Sequence, residues 1–219
     1  NALFHLEAAR GGSAAQGLGL RLGIGAVLMM ISLIGGRIVP SFTRNWLVKA
    51  GQRDLPSPPM QRFDKATLLM TLLALLLWVF EPTATLSGIA LISMALFHLI
   101  RLARWKGYRT VPEPLLLALH LGYLFVPLGA LSAAFGILRT DILALGSAQH
   151  LWMAGAFPLM TLAVMTRATL GHSGQDLHAG ARGVMVFACI IVSVLIRVSA
   201  GIWPDQSSVL YTASALFWI

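Results

Sequence analysis

The six histidines are the side chains of this sequence with the widest chemistry, because imidazole nitrogens bind haem iron, copper and zinc. The only cysteine, Cys189, lies in an apolar run. One cysteine excludes a disulfide framework, a CxxCH haem attachment and a cysteine zinc cluster. A metal or haem in this protein would therefore be held by histidines, namely His5, His98, His120, His150, His172 and His178.

Two of these histidines bracket one long apolar run. His150 opens the segment HLWMAGAFPLMTLAVMTRATLGHSG and His172 closes it. In a continuous helix their separation in sequence corresponds to about 33 Å. They cannot bind the same metal, so each needs partners elsewhere, and Pro158 predicts a kink between them.

Two further histidines flank a basic connection at residues 103–114. His98 precedes this connection and His120 follows it, so antiparallel helices would bring them to similar depth, an arrangement suited to a haem with two histidine ligands. A histidine in a span can instead bond a neighbouring helix, the role favoured for His5 and His178. We predict cofactor binding by His98, His120, His150 and His172, with the alternative of plain helix contacts open.

Three other residues are candidates for the same chemistry. Arg37 and Arg167 end apolar spans, where an arginine either extends to the lipid phosphates or pairs with haem propionates through its planar guanidinium. Met153 lies one helical turn after His150, and a thioether is a soft copper ligand or a flexible filler between helices. The predicted metal ligands are thus His150 with Met153 and, separately, His172.

The elements that carry these residues are predicted to be membrane helices. The chain is 57% hydrophobic and 11% charged, with mean hydropathy +0.78. Several apolar runs reach the roughly 20 residues that a helix needs to cross a bilayer, and they are too continuous for the strands of a barrel. We predict an all-α polytopic bundle, one domain over residues 1–219. Its complete spans are expected at 18–39, 66–80, 86–102, 115–138, 143–170 and 183–200, with a truncated seventh from 207.

The basic residues predict the orientation of the bundle. The formal net charge is +8, but the charges fall in connections between spans, which argues against a nucleic-acid partner. Twelve of the 16 lysines and arginines lie at alternate connections: nine within about 40–65, 103–114 and 171–182, and Arg37, Arg101 and Arg167 shortly before them. Because cytoplasmic loops collect lysine and arginine, these three connections are predicted to be cytoplasmic. The first residue is Asn and the last residues stop within an apolar run, so we expect a portion of a longer protein.

Two segments resemble a known family. GGRIVPSFTRN, at 35–45, resembles the Gly-Arg-x-x-Pro-x-Phe-Thr element of the NnrS family, and residues 150–174 resemble its helix that closes with Met-x-Arg-Ala-x-x-Gly-His-x-Gly. The matched residues of the first segment are Gly36, Arg37, Pro40, Phe42 and Thr43. Those of the second are His150, Gly155 (one position earlier than in the family pattern), Met165, Arg167, Ala168, Gly171, His172 and Gly174.

The resemblance implies a bacterial inner-membrane protein of about twelve helices that contains non-covalent b-type haem and copper. Its implied role is in nitric oxide metabolism, or in protection from nitrosative stress beside denitrification. The implied partners are nitric oxide or a related small molecule, the lipid bilayer and an unidentified electron donor. The family pattern carries ligand candidates only to His150 and His172, while His98 and His120 depend on the matching of depth.

Two functions of other classes stay open on the sequence alone. The first is a transporter or channel in which intramembrane histidines and Arg197 line a proton or solute path. The second is a membrane partner without catalysis that organises other proteins. Whether the protein turns over a substrate does not follow from its residues.

Overall fold

A computed structural model describes residues 2–11, 17–139 and 149–218, with the side chain of residue 204 excepted. These residues form helices and contain no strand. Six helices are long and apolar enough to cross a membrane. In chain order the helices are α1 (Ala2–Ala9), α2 (Leu18–Lys49), α3 (Arg62–Phe80), α4 (Thr85–Arg104), α5 (Pro114–Leu138), α6 (Leu151–His172), α7 (Ala181–Ile202) and α8 (Ser207–Leu216).

The predicted all-α membrane bundle is confirmed, and most predicted spans lie within one to four residues of the observed helices. The predicted start of the fifth span, at 143, lies outside the described residues. The prediction that Pro40 ends the first span is wrong. Helix α2 continues through Pro40 to Lys49, so the predicted loop at 40–65 begins about ten residues later than expected.

A local change in the backbone and two hydroxyl groups explain why α2 continues through Pro40. Residues Ile31–Gly35 form a π-helical segment, which shifts the hydrogen-bond register one turn before Pro40. After the proline, the hydroxyl of Ser41 donates to the carbonyl of Arg37 at 2.7 Å, and that of Thr43 donates to the carbonyl of Val39 at 2.9 Å. Such side-chain bonds are how membrane helices tolerate proline. The result is that Thr43 lies on a helix inside the bundle.

The centre of the bundle is the pair α4 and α5, which pack against each other more extensively than any other two elements described. Helix α3 covers the other side of α4, and α2 and α6 pack against α5. Small residues allow close approach: a Cβ on Gly129 would overlap the indole of Trp152, and the indole Nε1 donates to the carbonyl of Val126 at 3.0 Å. Helices α7 and α8 form a more peripheral pair.

The ends of α2, α4 and α6 and the starts of α3, α5 and α7 share one side of the molecule, which we call the basic end. Its connections are joined by exposed ion pairs: Asp54 pairs with Lys106 and, at 2.8 Å, with Arg109. The hydrogen bond from Lys106, with the charges of both cations, lowers the pKa of Asp54 below the ordinary value of 3.8. These contacts hold the connection at 50–61 against the link between α4 and α5.

Candidate functional site

A buried ion pair lies near the basic end, where α3 meets α4. Asp64 stands in the first turn of α3, and its carboxylate accepts a hydrogen bond from Arg101 Nε at 2.7 Å. The side chain of Arg101 is fully buried and that of Asp64 is 4% exposed. The charge pattern of the sequence predicts Arg101 among the basic residues of the connection, and this prediction is wrong. Its guanidinium turns into the bundle, where it has two acceptors. Nε donates to the Asp64 carboxylate, and Nη1 donates to the carbonyl of Ser32 at 2.8 Å.

His98 continues this polar cluster toward the middle of the bundle. Its Nδ1 lies 2.8 Å from the hydroxyl of Tyr123, which also accepts a hydrogen bond from Arg101 Nη1 at 3.0 Å. Its Nε2 lies 2.8 Å from the hydroxyl of Thr71, and that hydroxyl donates to the carbonyl of Thr67 at 2.7 Å. One set of proton positions satisfies every contact: Tyr123 donates to Nδ1, and Nε2 donates to Thr71. His98 is fully buried, and neither of its nitrogens is free.

His120 lies in the same layer with a different hydrogen-bond pattern. Its Nε2 is 2.9 Å from the hydroxyl of Thr43, which donates to the carbonyl of Val39. Its Nδ1 is buried and has no hydrogen-bond partner. The residue is 5% exposed, so bulk water does not reach that nitrogen. Buried polar atoms are usually paired, and an unpaired one in a native bundle needs an explanation.

Trp105 connects the two histidine environments. Its ring centroid is 4.5 Å from that of Tyr123 and 6.3 Å from that of His120. The guanidinium of Arg101 also lies over the Trp105 ring, 5.4 Å from its centroid. The predicted similarity of depth for His98 and His120 therefore holds, with an indole and a phenol between them.

A cavity of about 390 Å³ lies beside His120, between α4 and α5. Its walls are mainly leucine side chains that are half-buried, so it opens on the outer surface of the bundle. A Cβ on Gly107 would come within 2.5 Å of His120 Nδ1, 2.7 Å of Cγ and 3.0 Å of Cε1. These similar distances place Gly107 over the face of the ring and not in the ring plane in front of the Nδ1 lone pair. The lining residues are Leu99, Leu102, Ala103, Gly107, Tyr108, Leu117, His120, Leu121 and Leu124.

The other predicted histidines lie elsewhere. His150 is half-buried just before α6, with its ring edge-on to Tyr211 of α8 at 5.7 Å between centroids. Met153 is 42% exposed. His172 ends α6 and is exposed, which confirms that it and His150 belong to opposite ends of one helix. Within the described ranges no group of three or more His, Cys, Asp or Glu side chains could hold a metal ion.

The predicted arginines also have defined surroundings. Arg37 is exposed and lines a surface groove of about 400 Å³ with Ile34 and Phe42. Arg167 is half-buried, and its guanidinium lies 4.2 Å from the centroid of the Phe42 ring. Arg167 also lines a second groove at the basic end, beside Glu113 and His178, whose Nδ1 is 3.4 Å from a Glu113 carboxylate oxygen.

Sequence reasoning missed the polar partners of the two buried histidines. The hydroxyls of Thr71 and Thr43 each also donate to the carbonyl four residues earlier in their own helix. This pattern is common in helices and does not by itself indicate a contact with a histidine. The predicted span begins at 66, four residues later than the observed helix, which leaves Asp64 in the predicted loop. An acidic residue three positions after Gln61 was the available signal, since the two form a capping box at the start of α3.

Comparison with known proteins adds to this geometry. The family model described as NnrS protein matches residues 1–219, the whole chain. The chain belongs to the NnrS family. No curated protein and no solved structure matches it. The family is associated with haem and copper, and membership fits a multi-pass membrane protein related to nitric oxide.

The structure places the first NnrS segment against the buried site. Within it, a Cβ on Gly36 would overlap the guanidinium of Arg101. Phe42 lies under Arg167, which belongs to the second segment, and Thr43 contacts His120. The two segments on which the resemblance depends are thus in contact with each other, and the first also contacts Arg101 of α4 and His120 of α5.

Proposed function

We propose that this NnrS protein is a haem-containing integral membrane protein of the bacterial inner membrane. Its proposed role is in nitric oxide metabolism or in protection from nitrosative stress. The observation that carries the proposal is the cavity of about 390 Å³ between α4 and α5, with the buried His120 in its wall. Family membership supports the cofactor class, and the geometry supports the ligand.

His120 fits the role of a haem ligand better than His98 does. A histidine ligand presents one unprotonated nitrogen to iron and donates the other N–H to a fixed acceptor. His120 lines the cavity and has one side-chain hydrogen-bond partner, Thr43, whereas His98 does not line it and has both nitrogens bonded, to Tyr123 and to Thr71. The cavity beside His120 has the size and the mainly apolar lining of a cofactor site.

When bound there, haem would supply an iron with a coordination position for nitric oxide. His120 would hold it from the wall of the cavity, and the leucines of α4 and α5 would exclude water. The opening lies on the outer surface of the bundle, where the bilayer would be. A small neutral gas could therefore enter from lipid without crossing an aqueous channel.

Copper is proposed from the family alone. Within the described residues no cluster of three suitable side chains exists, and Met153 is turned partly outward. The residues described do not fit a closed copper site, so no step is assigned to copper. His150, Met153 and His172 remain predicted ligands, and the described residues complete no site around them.

The transport alternative has one feature in its favour, the polar chain from Asp64 through Arg101, Tyr123 and His98 to Thr71. That chain ends at the carbonyl of Thr67, which accepts a hydrogen bond but carries no proton to pass on. The bonds therefore fix side chains in place. A proton path along them would need further partners.

An optical spectrum of the purified full-length protein in detergent tests the proposal. We expect a Soret band that shifts on reduction with dithionite and again on addition of nitric oxide. His120→Ala should remove the band, whereas His178→Ala, a change of an exposed histidine, should keep it. A colourless, metal-free protein would contradict the haem function and favour transport or assembly. A band that survives alanine at His98, His120, His150 and His172 in turn would refute every ligand prediction.

A further inference from the structure

We propose that one face of α2, together with Arg167 of α6, binds a phospholipid whose headgroup carries both a phosphate and a primary ammonium, as that of phosphatidylethanolamine does. The site lies on the outer surface of the bundle and runs up to the basic end. It depends on the helices lying in a membrane and is independent of the proposed haem.

Two rows of side chains run side by side along α2, because residues four apart lie on the same helix face. The first row is polar and consists of Arg37, Ser41, Asn45 and Lys49. The second row is apolar up to its last member and consists of Ile34, Ile38, Phe42 and Trp46. Every member is exposed or half-buried, so this face points outward. The rows line two successive grooves, an apolar groove of about 400 Å³ and, at the basic end, a polar groove of about 270 Å³.

The cations of these grooves have no carboxylate partner. Within the part of the chain that the structure describes, Arg37, Lys49 and Arg167 make no ion pair. The guanidinium of Arg167 packs on the ring of Phe42, where the two grooves meet. Neither arginine lines the cavity beside His120, so of the two roles that the sequence leaves open to them, the structure favours contact with lipid phosphate over contact with haem propionates.

Two carboxylates line the polar groove as well. Glu113 is 8% exposed, and its oxygens lie 3.4 Å from the backbone nitrogen of Leu115 and 3.4 Å from Nδ1 of His178. Asp176, in the connection after α6, is exposed, and its side chain makes no hydrogen bond or ion pair with any other described residue. The polar groove thus presents two cations beside one free carboxylate.

These charges discriminate between phospholipid headgroups. Lys49 and Arg167 attract a phosphate, but a headgroup with a phosphate alone would lie beside the like charge of Asp176. A primary ammonium on the same headgroup offers Asp176 three charged N–H donors, whereas a trimethylated ammonium offers none.

The apolar row provides a surface for an acyl chain. It continues from the polar groove toward the middle of the span, and Ile34 and Phe42 lie about 12 Å apart along the helix axis. A headgroup at Arg167 and Lys49 would therefore place its chain on Phe42, Ile38 and Ile34. Phosphate, ammonium and chain each meet a matching surface.

The test is native mass spectrometry of the delipidated full-length protein in detergent. Phosphatidylethanolamine, phosphatidylglycerol and phosphatidylcholine with identical acyl chains are added, and we expect phosphatidylethanolamine to be retained best. Equal retention of the three lipids would overturn the proposal. Glycerophosphoethanolamine, the same headgroup without chains, should not displace the lipid at equal concentration. Displacement by it would show that the apolar row takes no part.

Single substitutions of exposed residues test the charges. Lys49→Gln should weaken retention of phosphatidylethanolamine about fivefold, the effect of one basic residue near a lipid surface. Lys65→Gln removes an exposed charge from the same end of the bundle but outside the grooves, and it should change little. Asp176→Asn should abolish the preference for phosphatidylethanolamine over phosphatidylglycerol. No change in Lys49→Gln, or a preserved preference in Asp176→Asn, would refute the assignment of the headgroup.

Ile34→Ser tests the apolar row. Ile34 is 48% exposed and Leu73 of α3 is 50% exposed, so Leu73→Ser is a matched control on another helix. We expect weaker retention of phosphatidylethanolamine in Ile34→Ser alone. The same retention in both variants would exclude this face of α2 as the place of the acyl chain.

Discussion

His98 and His120 occupy one layer of the bundle, on adjacent helices, and differ in their surroundings. Each has its Nε2 beside a threonine hydroxyl, but Nδ1 of His98 lies against Tyr123 while Nδ1 of His120 has no partner. The satisfied histidine belongs to a cluster with the Asp64–Arg101 ion pair, and the unsatisfied one borders a cavity. Two buried histidines thus differ in their hydrogen bonds and in whether a cavity adjoins them.

The largest effect on this comparison should come from Asp64→Asn. Removing one partner of a buried ion pair leaves an uncompensated charge and costs about 3–5 kcal/mol. The cluster around His98 should loosen, and thermal unfolding of the detergent-purified protein should shift to clearly lower temperature. Asp54→Asn, at an exposed ion pair, is the matched control and should change little. Equal stability of Asp64→Asn and the unmodified protein would show that the ion pair does not support this region.

A smaller loss is expected from Gly36→Ala. The new methyl group would meet the buried guanidinium of Arg101, and overpacking of this kind costs about 1–3 kcal/mol. Gly23→Ala on the same helix is the control, because a Cβ there meets nothing within 4 Å. The same unfolding measurement applies. If both variants unfold at one temperature, the close approach of Gly36 to Arg101 is not present in the protein.

Tyr123→Phe would make His98 resemble His120. It removes the hydroxyl from Nδ1 of His98 and from Arg101, and an unpaired buried polar group costs about 1–3 kcal/mol. In ¹⁵N NMR of the full-length protein with labelled histidine, the Nδ1 signal of His98 should move, and the signals of His120 should not. If His120 changes as well, Trp105 transmits the loss between the two environments and they are not independent.

The smallest effect concerns the exposed pair at the basic end. Because its pKa is lowered in the folded protein, Asp54 contributes stability that is present above the ordinary value of 3.8. That contribution is lost as the pH falls through the lowered pKa. Carboxyl NMR titration should show Asp54 titrating below 3.8 and, in Lys106→Gln, closer to it. An unchanged titration in that variant would assign the shift to Arg109.

The sequence predicts the bundle well because apolar length and charge placement are local properties. It failed at Pro40, where a π-helical segment and the hydroxyls of Ser41 and Thr43 keep the helix intact. As a result, Thr43 falls in the predicted loop at 40–65, although it lies on a helix inside the bundle. The histidines were found by type, but which nitrogen of each is engaged depends on side chains from other helices. Arg101 was misplaced for the same reason, since its partner Asp64 lies 37 residues earlier in the chain.

The pairing of Asp64 with Arg101 bears on how the chain enters the bilayer during synthesis. The two residues lie on consecutive helices joined by a short link at 81–84. Either charge alone within a span would oppose partition into lipid, because an unpaired ion in hydrocarbon is costly. Together they form a neutral unit, so α3 and α4 are suited to leave the translocation machinery as a hairpin. Arg101, which stabilises the folded bundle, would then also couple the insertion of α4 to that of α3.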